Sequence, residues 1–350
     1  MDDENRSKPP MRRICTDGSY TKDANKCADM LNDFFGSQIC AQHQLNADKS
    51  IYAILSQESI EVTTDGVIKL LNCLKSGKFP GPDALRKEDL TIDPIMTAKC
   101  LTAIFNASLK NSELPHEWKM AHVAPLHKKG ATDQPNNYRP ISLTSIPCKL
   151  LEHIVLHHLN TTVDAVLYNG QHGFRRGLSC ETQLCATYHE IARHADQGST
   201  VHAVVLDFDK AFDKAPHQLL MKNPNEVPNI SSQILMRIHD FLIDRWQKVV
   251  INGQCFSELP VTSGVPQGSV LGPTLFLAYI NHLPESVTCH ISLFADDTLI
   301  YKVVNSTQQK DSFQSDIKAL ESWTRKWCIK FNVDKCSVLV FNPSPNNSGN

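Results

Sequence analysis

The chain has 350 residues, which at a typical domain size of about 150 allows roughly two packed units, and its 41% hydrophobic content is enough to give each a core. Its 35 Lys and Arg against 37 Asp and Glu leave a formal charge of -2, which excludes a histone-like or polybasic protein; any nucleic-acid contact must come from local patches. The opening MDDENRSKPP has no apolar core for a signal peptide, and the longest apolar stretch, residues 270–280, falls short of the roughly 20 residues of a membrane span, so an intracellular protein without membrane contact is expected.

In chain order, residues 1–28 form a polar N-terminal segment, of which 1 to about 25, rich in Pro, Asn, Ser and charge, are expected to be unordered. From about residue 28 to 114 the apolar spacing is mainly helical, broken by the turn Lys78-Phe-Pro-Gly-Pro-Asp83. A basic region follows over 116–176. Within it, 150–159 reads as a helix with His153 and His157 at zinc-compatible spacing, but no Glu or Cys completes a recognisable zinc site. Val201–Leu206 is a short β-branched run, read as a buried strand ending at Asp207. Residues 211–220 look helical, 249–253 a strand and turn, and Gly272–Ile280 a buried helix. Residues 291–294 and 298–301 read as two strands joined by a tight acidic turn, a β-hairpin. Phe313, Ile317, Leu320 and Trp327 have helical spacing, Ser337–Phe341 closes with a strand, and 342–350 (NPSPNNSGN) is a disordered tail. The sum is an α+β domain with an antiparallel sheet on helices. The 12 Cys are scattered without a CxxC pair and read as reduced thiols, mostly structural.

Chemistry concentrates in the acidic residues. Asp207 ends an apolar strand, and Asp296 and Asp297 sit together in the turn of another hairpin. Adjacent carboxylates against apolar strands are costly unless protonated or neutralised by a cation, and hard divalent ions prefer carboxylate oxygens. Neighbouring strands can therefore build one metal site, and two metals so held suit in-line phosphoryl transfer. Taken alone, the Asp-Asp pair is more commonly ordinary turn chemistry open to solvent.

Leu206-Asp-Phe-Asp-Lys-Ala-Phe-Asp213, then Thr262-Ser-Gly-Val-Pro-Gln-Gly-Ser-Val-Leu-Gly-Pro273, then Phe294-Ala-Asp-Asp297 closely resemble, in order and spacing, the polymerase motifs of reverse transcriptases from non-LTR (LINE-type, jockey-like) retrotransposons. Upstream, Pro80-Gly-Pro-Asp83, Leu126-His-Lys-Lys-Gly130, Asn137-Tyr-Arg-Pro-Ile-Ser142 and Gln171-His-Gly-Phe-Arg175 resemble that family's finger motifs. Downstream, Trp327 and Phe331-Asn-Val-Asp-Lys-Cys336 resemble its next palm motif.

The resemblance implies a right-hand polymerase: an N-terminal helical region and fingers over 29–200, and a palm over 201–341 carrying an antiparallel catalytic sheet. It implies an RNA-directed DNA polymerase extending a DNA primer on an RNA template with deoxynucleoside triphosphates and two Mg²⁺, with Mn²⁺ as a substitute. Asp207 and Asp296 would ligate the metals, with Asp297 beside them on the hairpin, where alternate residues face opposite sides. Phe212 matches the aromatic gate against a ribonucleotide 2′-hydroxyl; from sequence alone a core aromatic reads as well. Gln267 and Gly268 would lie against the incoming nucleotide and template, Gly268 allowing close backbone approach; a plain turn is the alternative. Arg139, Lys128 and Lys129 would face the triphosphate, and Arg175 and Arg176 the template backbone. Lys335 would protonate the leaving pyrophosphate; an exposed Lys beside Asp334 is the plainer reading. Trp323 and Trp327 fit either base stacking or a helix core.

Some features depart from the family. The chain has room for neither an endonuclease nor more than a vestige of a thumb, so it reads as a fragment, and Pro224 and Pro228 interrupt a region where relatives continue a helix. A second reading is therefore a catalytically inactive fragment that binds RNA or a protein partner. A nucleotide cyclase shares paired metal-binding acids, but the Pro266-Gln267-Gly268 segment and basic finger motifs argue against it. A retrotransposition role would place the protein in the nucleus, although no dense Lys/Arg cluster marks an import signal.

Overall fold

The computed structural model describes residues 14–16, 19–21, 24–39, 60–226, 230–251 and 254–343. It gathers the chain into two compact units: Met1–Asn160 with Phe212–Met221 and Pro228–Gly272, and Thr161–Ala211 with Lys222–Val227 and Pro273–Asn350. The units interleave along the chain, each drawing on segments from both sides of residue 200. Sequence periodicity marks where elements lie but not which distant strands pair, and here residues 212–221 and 245–261 join the N-terminal unit.

The chain begins with strands β1 (Ile14–Thr16) and β2 (Ser19–Thr21), then helices α1 (Ala24–Ser37), α2 (Thr64–Asn72), α3 (Lys87–Leu90) and α4 (Pro94–Asn111). Strands β3 (Met120–His127) and β4 (Tyr138–Leu143) lead to helices α5 (Ile146–Val166) and α6 (Cys180–Asp196), strand β5 (Val201–Leu206), and helices α7 (Ala211–Lys214), α8 (His217–Glu226) and α9 (Ser232–Leu242). Then come β6 (Arg245–Ile251), β7 (Gln254–Cys255), β8 (Leu259–Val261), α10 (Gly272–Ile280), β9 (His290–Phe294), β10 (Asp297–Val303), α11 (Thr307–Lys326) and β11 (Ser337–Phe341). Helix starts follow local chemistry: the side chains of Thr63, Asp93, Ser179, Ser231 and Ser306 each accept a hydrogen bond from the first turn of their helix.

In the first unit β3 runs antiparallel to β4 and parallel to β6, which also carries β7 and β8 antiparallel. The sheet is thus mixed, and the antiparallel expectation holds only for the other unit. Helix α1 covers this sheet through Cys27, Leu31 and Phe35 against Val123, Tyr138 and Val249. The antiparallel pairing of β1 with β2 gives part of the 1–28 segment an order that its polar composition did not suggest, because backbone ladders form independently of side-chain polarity. Residues 1–13 and 344–350, also expected to be unordered, lie outside the described residues. The helix expected over 211–220 is split at Ala215-Pro216, where Pro216 bridges to Ser263; a proline disfavours the helical backbone of the residue before it. Pro224 does not end α8, which runs on to Glu226: a proline near a helix C-terminus removes a single backbone bond. Pro228 lies outside the described residues.

In the second unit an antiparallel sheet has the strand order β11-β5-β10-β9. Ile191 of α6 packs on Val201 and Ala203 of β5 and Tyr301 of β10. Trp323 and Trp327 are 6% and 4% exposed with ring centroids 5.6 Å apart, so they are core residues rather than a stacking platform. Among the described residues no helix is long and apolar enough to cross a membrane.

Candidate active site

The acidic cluster lies in the second unit. β5 is a buried apolar strand, and antiparallel pairing sets its last residue, Leu206, opposite Thr298 of β10. One step further, the same register brings Asp207 opposite Asp297. β9 and β10 close on a two-residue turn, Ala295-Asp296, between the paired Phe294 and Asp297. Asp296 is half-buried and Asp297 exposed. Burial pushes the Asp296 carboxyl above the ordinary carboxylate range. A hydrogen bond to its own backbone opposes this, the charges of Asp297 and Asp207 add to it, and Lys335 opposes.

Lys335 reaches the cluster because the segment before it is stitched to the end of β5. Phe208 and Phe331 form an antiparallel bridge with their rings stacked at 4.5 Å, Asp209 N donates to Lys330 O at 2.8 Å, and Asn332 N donates to Asp207 O at 2.8 Å. A single 3₁₀ turn, Val333–Lys335, then sets Lys335 Nζ 2.7 Å from Asp207 Oδ1. Asp207, Asp296 and Asp297 thus stand on adjacent strand ends as three hard-oxygen donors, the ligand chemistry that divalent cations take. Among the described residues, no group of three His, Cys, Asp or Glu is placed so that it could hold a metal ion, and on Asp207 the positive charge comes from Lys335.

The Pro266-Gln267-Gly268 loop belongs to the first unit and is fastened at every step. Gly264 N donates to Ala215 O and Val265 N to Phe212 O, both at 2.7 Å, and Ser142 N donates to Gln267 O at 2.7 Å. Gly264 has φ +75°, and a Cβ there would lie 2.3 Å from Phe212 O, so this position requires glycine. Gly268, φ +113°, is also a close approach, but to this chain's own Ser142 O, where a Cβ would lie at 2.8 Å. The Gln267 amide donates to Asp213 Oδ1 at 2.7 Å. Buried Glu152 accepts from Val270 N at 2.6 Å and Leu271 N at 3.1 Å.

Phe212 is half-buried and joins this loop through its carbonyl. Lys128, Lys129 and Arg139 are exposed on the β3–β4 hairpin, where Arg139 pairs with Leu126 and Lys128 N donates to Asn137 O at 2.7 Å. Arg175 and Arg176 lie in the second unit with the aspartates. Arg175 is taken up internally, its guanidinium donating to the Asp164 carboxylate at 2.7 Å and to the Tyr168 carbonyl at 3.1 Å, whereas Arg176 is exposed. Asp213, Glu152 and Gln171 were not singled out as site residues. Asp213 and Gln171 stand inside quoted motifs, but their partners are far off in the chain and no local signal names them.

Residues 126–346 match the family model for reverse transcriptase (RNA-dependent DNA polymerase). The chain belongs to the reverse transcriptase family. This reverse transcriptase chain is 30% identical over 293 residues to the RNA-directed DNA polymerase from mobile element jockey of Drosophila melanogaster, across 80% of the chain and 32% of that protein. It is 29% identical over 286 residues to the probable RNA-directed DNA polymerase from transposon BS of the same organism, across 78% of the chain and 31% of the relative. Against the Retrovirus-related Pol polyprotein from type-1 retrotransposable element R1 of Bradysia coprophila it is 24% identical over 338 residues, across 93% of the chain and 32% of the relative. The chain spans about a third of the length of these relatives. Every candidate residue from Lys128 to Lys335 falls inside the matched reverse transcriptase span.

Proposed function

We propose that this chain is the polymerising core of a non-LTR retrotransposon reverse transcriptase, extending a DNA primer on an RNA template with deoxynucleoside triphosphates. The observation that carries the reading is the setting of Asp207, Asp296 and Asp297 on adjacent strand ends of one antiparallel sheet, inside the span matched by the family model. That sheet, β11-β5-β10-β9, is read as the palm, and the β3–β4 hairpin as part of the fingers.

Asp207 and Asp296 would hold divalent metal, with Asp297 beside them; bound Mg²⁺ supplies activation of the primer hydroxyl and neutralises charge on the departing pyrophosphate. Arg139, Lys128 and Lys129 offer exposed positive charge to a triphosphate, Arg139 as a planar fork and the lysines as point charges. Phe212 is read as the aromatic gate against a ribonucleotide 2′-hydroxyl, on the strength of its motif position. Gln267 and Gly268 present a rigid backbone edge to nucleotide and template, and Arg176 meets template phosphate. Lys335, already within hydrogen-bond reach of Asp207, holds a proton for the leaving pyrophosphate.

The test is primer extension on RNA with Mg²⁺ or Mn²⁺, comparing wild type with Asp207→Asn. The ion pair removed is partly exposed, with side chains 42% and 27% accessible, so the variant should lose less than about 1 kcal/mol and remain folded. Extension by wild type that disappears in folded Asp207→Asn is the expected result; equal extension by both removes the assignment. The alternative, nucleic-acid binding without synthesis, draws on the Lys335 ammonium already seated on Asp207, and it predicts primer-template binding with no product.

A further inference from the structure

We propose that Gln171 is the positioning residue of the acidic hairpin: its buried amide clamps Ala295 and so sets the direction of Asp296, an inference that rests on the polymerase reading above. The turn it grips is strained. Ala295 sits at φ +54°, a left-handed backbone that a residue with a Cβ adopts at a penalty of about 1–2 kcal/mol. A two-residue hairpin loop itself favours positive φ at its first residue, but alanine has no local compensation for the strain, so a grip from outside the hairpin adds to the hold.

Gln171, 2% exposed, does so from both sides of the residue. Its Oε1 accepts from Ala295 N at 2.8 Å, and its Nε2 donates to Ala295 O at 3.3 Å. The same Oε1 accepts from Gly173 N at 2.8 Å, which fixes the amide orientation and ties the clamp to its own loop. The backbone reinforces it: Leu293 N donates to Gly170 O and His172 N to Leu293 O, both at 2.9 Å, laying residues 170–172 parallel along the end of β9. Gly173 completes the fit, since a Cβ there would lie 2.3 Å from Ala295 N. Asp296 is the next residue after Ala295, so the Ala295 dihedrals determine where its carboxylate points. Gln171 touches neither the carboxylates nor any reacting group, and it acts only through the turn.

Groups that orient metal-binding side chains affect metal affinity or activity by about 10–100-fold when removed. The variant is Gln171→Met, similar in length and without the hydrogen bonds; the control is Ile191→Ala, which opens a cavity in the core of the same unit, against β5 and the far end of β10 rather than the Ala295-Asp296 turn. The readouts are Mn²⁺ affinity by paramagnetic resonance, and kcat and KM for deoxynucleotide in primer extension. The expected result is Mn²⁺ affinity and kcat each reduced about tenfold or more in Gln171→Met, KM within about twofold, and Mn²⁺ affinity unchanged in folded Ile191→Ala. A folded Gln171→Met with wild-type Mn²⁺ affinity and kcat overturns the clamp and leaves the polymerase reading standing. If wild type makes no product yet Gln171→Met still weakens Mn²⁺ binding, the clamp stands and the polymerase reading falls. Should Gln171→Met not fold, amide exchange in wild type decides: protection of Ala295 and Gly173 by about tenfold or more supports the clamp, and exchange at the rate of an open turn overturns it.

Discussion

Acid should loosen the loop that carries Gln267, and His217 is the group responsible. The residue is 3% exposed, and its Nε2 donates to the Gly264 carbonyl at 2.9 Å, next to the close approach of Gly264 to Phe212. Burial pulls its pKa from 6.5 down to about 4; the hydrogen bonds to the Gly264 and Ser263 carbonyls resist, while Arg245 and His239 add to the fall. The folded value lies below the unfolded one, so between them the unfolded chain binds more protons. Stability is therefore complete above pH 6.5 and declines as the pH falls toward 4. At about 1.4 kcal/mol per unit, the loss by pH 5 is about 2 kcal/mol. The assay is urea unfolding at pH 7 and pH 5 for wild type and His217→Gln, whose amide can still donate to Gly264 but does not titrate. All other titrating groups are common to both proteins, so the difference isolates His217. The stability gap should shift by about 2 kcal/mol in favour of the variant between the two pH values; parallel pH dependence in the two proteins would refute the reasoning.

Two further perturbations separate chemistry from architecture. Gly264→Ala meets left-handed strain of about 1–2 kcal/mol together with a Cβ 2.3 Å from Phe212 O, so its urea midpoint should fall clearly, and an unchanged midpoint would mean the loop is not held as described. Lys335→Ala should change stability by less than about 1 kcal/mol, because its pair with Asp207 is partly exposed, yet slow primer extension by on the order of a hundredfold; an unchanged rate would remove Lys335 as proton donor.

What the sequence revealed and what it hid divide along one physical line. β5, β9, β10 and α10 were legible because each is a short apolar run bounded by polar or turn residues, a signal contained within a few neighbours. The interleaving of the units was not legible, since the parallel pairing of Met120 with Trp246 is decided by register between strands far apart in the chain. The same holds at the site. Lys335 reaches Asp207 across 128 residues of sequence, Gln171 reaches Ala295 across 124, and Gln267 turns its amide to Asp213 across 54. A motif position names a residue without naming what it touches. Arg175 shows the consequence: its motif suggested a template contact, and packing gave its guanidinium to Asp164 and Tyr168.

Two contacts of different physical kind bear on the acidic cluster. Lys335 acts by charge, through a partly exposed ion pair, so its removal changes the electrostatics of Asp207 while the strands keep their register. Gln171 acts by geometry, through a buried amide whose hydrogen bonds have no water to replace them, so its removal frees a backbone that would otherwise leave the left-handed region. The two losses should therefore differ in salt dependence. A defect from Lys335→Ala should change with ionic strength because it concerns screened charge, and a defect from Gln171→Met should not. That contrast follows from where each side chain sits rather than from how strongly it bonds: the neutral clamp grips the Ala295-Asp296 turn, and the Lys335 ammonium sits on Asp207 at the end of the neighbouring strand.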